Sequence, residues 1–204
     1  MDRCDALSRQ LWIARTEVAT NPKGVLSLPR RAQIWAAMND PADPEASYRH
    51  RTYLKIACIR HVQHIWEQIL PGHGGVEEML ALTQQLIDRQ VDPETAERAS
   101  DSFLSSMTSK YGAIKRNYPA MMIADAARNT VLSACERNPD YDTAEANEQD
   151  DDELLPDALE TSYAYASAAA GGLNWQPADQ INVNARRAFW TWYLDHAIPW
   201  ALTM

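Results

Sequence analysis

Residues 184–200, NARRAFWTWYLDHAIPW, carry four aromatic rings within five positions: Phe189, Trp190, Trp192 and Tyr193. At about 100° per residue, rings so spaced point to nearly every side of a helix. The polar exceptions, Arg187, Thr191 and Asp195, recur at i, i+4 and i+8 and make one narrow wet stripe. A helix of this kind is embedded among others rather than laid on a surface. Asn184 is the expected cap, its side-chain oxygen accepting from a first-turn amide. Pro199 has no amide donor and collides with the carbonyl four residues back, so the helix is expected to end or kink by Ile198. Each large ring buried contributes about 2–3 kcal/mol. Trp192→Ala is expected to cost about 3–5 kcal/mol if that ring lies in the core.

The rest of the chain repeats the helical period. Leu7, Leu11, Trp12 and Val18 predict a helix over residues 2–19, which Asn21, Pro22 and Gly24 break. Ile34, Trp35 and Met38 are the apolar side of a second, over residues 27–38. Residues 45–70 form the longest periodic run, with two apolar faces and therefore neighbours on both sides. Pro71-Gly72 stops it, and residues 76–91 follow as an amphipathic helix. Asp92-Pro93-Glu94 is a cap, a first-position proline and an acid against the helix dipole, opening a helix to about Tyr111. Asn117 and Pro119 open the next, which runs to Arg137. Pro156 restarts a helix in which Tyr163, Tyr165 and an alanine run precede Gly171-Gly172; the small side chains let another backbone approach closely. Only residues 24–28 and 180–183 suggest extended chain, and no period of a repeat array is found. The expectation is an all-α, irregular multi-helix bundle of about eight helices, one domain over residues 1–204, with a mobile acidic loop at about 139–155.

Two stretches carry a resemblance. Residues 186–199, RRAFWTWYLDHAIP, resemble the C-terminal signature of the fifth numbered family of bacterial immunity proteins and its relatives. Residues 58–88, in which Ile65-Trp66-Glu67 closes a helix before a Pro-Gly turn and a Leu-rich helix, are similar to the same family. Members are small helical proteins that protect a cell from its own polymorphic toxins. The resemblance implies no catalytic motif and one partner, a cognate toxin domain.

Composition narrows the classes. A chain of 204 residues buries about 70% of its unfolded surface. No run of about 18 apolar residues predicts a membrane span, and the start, MDRCDALSRQ, lacks a signal core. Three distant cysteines, Cys4, Cys58 and Cys135, argue for reduced thiols and a cytoplasmic setting. Of 28 acidic residues, ten fall between Pro139 and Glu160 with no base among them, leaving 18 acids against 19 bases elsewhere. The net charge of −9 is thus the property of one segment. No basic face suits nucleic acid. Such charge runs are most often solvated faces. The functional reading is that Asp150, Asp151, Asp152 and Glu153 meet a basic toxin surface. A nuclease, which presents Lys and Arg to grip phosphates, is the toxin class this charge fits, and long-range attraction would speed the encounter.

Catalytic patterns are weak. Cys58, His61, His64 and Glu67 follow one another at three-residue spacing, and residues so placed on a helix can share a metal. A di-metal carboxylate bundle needs a Glu-x-x-His motif on each of two helices, and neither is found. The chain has no Gly-x-Ser-x-Gly, no Walker motif and no dinucleotide fingerprint. Gly72-His73-Gly74-Gly75 reads as a helix–helix turn, and the Arg186-Arg187 pair is expected to reach neighbouring carboxylates. The reading is therefore a non-enzymatic, toxin-binding protein with no metal and no cofactor. A metal-dependent helical-bundle enzyme using His61, His64 and Glu67, or a scaffold module, is the alternative.

Overall fold

Eight helices and a short ninth carry the computed structural model, which describes residues 3–141, 151 and 160–204. In chain order they are α1 (Arg3–Thr20), α2 (Leu28–Met38), α3 (Pro44–Ile69), α4 (Gly75–Ile87), α5 (Pro93–Tyr111), α6 (Tyr118–Cys135), α7 (Thr161–Ala170), α8 (Val183–Trp192) and α9 (Ile198–Ala201). The fold is all-α, with no strand among the described residues. The two extended candidates resolve into the α1–α2 connection and a 3₁₀ turn, Ala178–Gln180, that leads into α8.

Local chemistry explains most boundaries. The Asp92 side chain accepts from the Thr95 amide at 2.9 Å with Pro93 in the first turn, so α5 starts where the acid, proline and dipole agree. Asp43 caps α3 in the same way through Ala46. Glu160 caps α7, accepting from the amides of Ser162 and Tyr163, and Gly171 closes it in the left-handed region at φ 72°. The helix restart expected at Pro156 falls outside the described residues. Expectations fail at some helix ends. Asn117 makes no side-chain cap on α6, because it is the last residue of a 3₁₀ turn, Lys115–Asn117, with helical backbone angles. The α4 helix stops at Ile87, short of Val91; Arg89 takes φ 57°, the one positive φ outside glycine among the described residues.

Helix α6 is the hub, packed against α3, α4, α5 and α7. Ala120, Ala124, Ala127 and Ala134 on α6, with Ala164, Ala166 and Ala168 on α7, are all buried. These small side chains bring the two backbones close, the role expected of the alanine run, and Thr130 and Tyr165 meet across the contact, hydroxyl to hydroxyl, at 3.4 Å. The aromatic C-terminal helix lies against α1, α3 and α7. Phe189, Trp190 and Tyr193 are fully buried, whereas Asn184, Ala188, Thr191 and Asp195 form its exposed stripe.

The C-terminal helix departs from the sequence reading at its start, while its regular α repeat ends at Trp192, before Ile198 as expected. Its cap is Asn182, whose side chain accepts from Ala185 at 3.0 Å, not Asn184, which is already inside the helix. At Pro199 the chain does not break. Residues Tyr193–Ala197 widen into a π turn, with the Ile198 amide reaching back five residues to the Tyr193 carbonyl, and α9 continues with Pro199 in its first turn. The wider turn accommodates a ring that the regular α repeat would drive into the preceding carbonyls.

Candidate functional site

Among the described residues, Asp151 ties the acidic segment into the core. Arg31 on α2 is 0% exposed, and its guanidinium holds Asp151 in a two-pronged pair, Nη1 to Oδ2 at 2.9 Å and Nη2 to Oδ1 at 2.5 Å. Glu160 lies 3.3 Å from Nε, and Nη1 also donates to the Leu26 carbonyl at 2.7 Å. The rings of Trp35 and Trp190 flank the guanidinium, 5.9 and 5.2 Å from its carbon. Burial alone works against this cation, but the carboxylates of Asp151 and Glu160 outweigh it and raise the Arg31 pKa. Asp151 is 2% exposed. Its carboxylate therefore faces inward and neutralises a buried arginine. Asp150, Asp152 and Glu153 lie outside the described residues, as does the acidic loop apart from residues 139–141 and 151.

A pocket opens beside this junction between α2, α3 and α7, lined by Trp35, Arg51, Lys55, Cys58, Glu160 and Tyr193 among others. The Trp35 indole donates to the Tyr193 hydroxyl at 2.8 Å. Burial pushes the Tyr193 hydroxyl and the Cys58 thiol well above their ordinary ranges, so both stay protonated and the thiol is a poor nucleophile.

On α3, His61 is engaged in packing and His64 is exposed. The His61 ring stacks on Trp192, His64 Nδ1 lies 3.1 Å from the His61 carbonyl oxygen, and Glu67 accepts from Gln63 at 3.1 Å. Among the described residues no three His, Cys, Asp or Glu side chains converge as a metal site. The arginine pair of α8 reaches backbone: Arg187 donates to the carbonyls of Val18 and Asn21, and Arg186 to that of Gly172. These carbonyls belong to the ends of α1 and α7, which leave C=O groups without helical partners beside α8.

Large rings also lie on the surface. Trp12 is 68% exposed, Trp175 64% and Trp200 40%. Trp200 meets Tyr53 edge-on with ring centroids 6.0 Å apart, and the Arg49 guanidinium lies 5.8 Å from the Tyr53 ring. The sequence did not mark these positions, since Trp12 falls within the apolar period of α1 and Trp200 follows the aromatic run. Arg31 was equally hidden, because a two-arginine pair resembles any surface pair.

No helix of the described residues is long and apolar enough to cross a membrane. No curated protein matches the chain. The family model described as Immunity protein Imm5 matches residues 12–200. That match runs from α1 to α9, far beyond the two stretches that carried the resemblance, and places the chain in the Imm5 family of immunity proteins.

Proposed function

We propose that this protein protects the cell that makes it by binding one cognate toxin domain, one to one, and covering its active site or substrate groove. Membership of an immunity family over residues 12–200 is the observation that carries this reading. The protein acts in the cytoplasm as an inhibitor and not as an enzyme. Specificity comes from desolvated aromatic anchors, and charge contributes rate and discrimination. The ten carboxylates between Pro139 and Glu160 suit a basic toxin such as a nuclease, with Asp150, Asp152 and Glu153 as steering groups and Asp151 as their inward anchor.

The test is co-expression with the toxic C-terminal region encoded beside this gene. Survival together with a stable one-to-one complex is the expected result. Death of the cells and no co-purification would refute the reading.

A further inference from the structure

The Gly72-His73-Gly74-Gly75 turn joins α3 to α4, and its histidine is held on several sides. The Trp66 indole of α3 donates to the His73 carbonyl at 2.8 Å, and the His73 amide donates to the Leu70 carbonyl at 3.1 Å. The half-buried ring stands edge-on to Trp66 and to Tyr111 of α5, with centroids 5.3 and 6.0 Å apart. Its Nδ1 accepts from the Gly75 amide at 3.2 Å. A nitrogen that accepts carries no proton, so this bond selects the neutral tautomer with its hydrogen on Nε2.

That bond takes the place of a helix cap. Gly74, at the cap position of α4, has no side chain to offer. The Gly75 amide is one of the first four in the helix, which no helical carbonyl reaches. Gly75 is itself buried, and a side chain there would collide with Phe103 of α5 and crowd the His73 ring. Glycine, imidazole and phenyl ring thus close one corner among α3, α4 and α5.

A proton on Nδ1 would undo the bond, because imidazolium presents N–H at both nitrogens and two donors would then face each other. The new charge would also lie at the start of α4, where the helix dipole is positive. Glu78, in the first turn of α4, is the carboxylate that shares this corner; Glu77 is turned to Arg60 and Gln63 of α3. The other helices face the ring with Trp66 from α3 and with Phe103 and Tyr111 from α5, of which the Tyr111 hydroxyl is titratable.

We propose that His73 is a proton-operated clasp on the α3–α4 turn. Neutral, it holds the first turn of α4 closed against α5. Protonated, it releases the Gly75 amide, while the Trp66 bond to the His73 carbonyl keeps the turn on α3. The far end of α4 is held separately, by Arg137 donating to the Leu86 carbonyl at 2.6 Å, so the release is confined to the first turn. The clasp is built from contacts within this chain and is independent of the partner.

Amide exchange followed by NMR on the full chain, from about pH 8 to about pH 5, is the test. Protection of the Gly75 amide should fall about fivefold, the worth of one hydrogen bond, at the midpoint where the His73 ring protons titrate. The Thr95 amide, held by the Asp92 carboxylate, should keep its protection over the same range. His73→Asn should keep Gly75 protected throughout, since the Asn side-chain oxygen accepts from an amide two residues on and does not titrate. Constant protection of Gly75 through the His73 titration in the wild-type protein would overturn the proposal. A loss that follows a different midpoint, or that persists in His73→Asn, would overturn it as well.

Discussion

The Trp192 indole lies flat on the His61 imidazole, with ring centroids 3.7 Å apart and planes 8° from parallel. Phe189 tilts against the same imidazole at 5.8 Å, so α3 and α8 are joined by a layer of rings. Burial, with His64 close by, holds the His61 pKa below the ordinary histidine range. The unfolded chain therefore takes up a proton at this position before the folded one does. Stability from this group is complete above about pH 6.5 and is lost as pH falls through that value towards the lower folded pKa. Melting temperature should drop as pH falls below about 6.5, and His61→Gln should flatten that part of the curve. Parallel curves for the two proteins would show that His61 is not the titrating group.

Neighbouring rings on one helix differ in worth. Trp190 is fully buried beside Arg31 and Tyr193, so Trp190→Ala should cost about 3–5 kcal/mol in urea unfolding. Trp192 is only partly buried, and its truncation should cost about half as much, less than its place in the aromatic run suggests. Equal losses would mean that the stack on His61 is as strong as core packing.

Asp151→Asn should destabilise the protein by about 3 kcal/mol, the low end for a broken buried pair, because Glu160 still faces the guanidinium. A loss below about 1 kcal/mol, the range of surface pairs, would show that the junction is solvated in solution.

The remaining acids of the cluster are tested by rate. Changing Asp150, Asp152 and Glu153 to Asn, Asn and Gln should slow association with the toxin and flatten its dependence on salt. Stopped-flow rates at several ionic strengths provide the comparison. Unchanged rates and slope would remove the segment from the encounter.

Sequence periodicity reveals whichever groups repeat. The capped start at Asp92 and the close α6–α7 contact through alanines follow from residue type and spacing, as do two members of the expected wet stripe, Thr191 and Asp195; the third, Arg187, is half-buried and reaches α1. Features that depend on a distant partner leave no such trace. Arg31 is buried only because Asp151, Glu160 and two indoles converge on it from remote positions, and nothing near it in sequence announces them. Trp12 recurs with Leu7 and Leu11 as if all three faced inward, yet periodicity counts a tryptophan as apolar whether or not another helix arrives to cover it. Asn182 and Asn184 are chemically equal as caps, and the backbone entering from the 3₁₀ turn chooses between them.

The π turn at Tyr193–Ala197 amounts to one residue inserted into an otherwise regular helix. Deleting a residue there would return these positions to the regular α repeat with the flanking turns in register, and would remove the wider turn that relieves Pro199 of the carbonyl four residues back. Chain length through these five positions is therefore under tighter constraint than the identity of their exposed members, Asp195 and His196, and homologues should vary there by substitution and not by insertion or deletion.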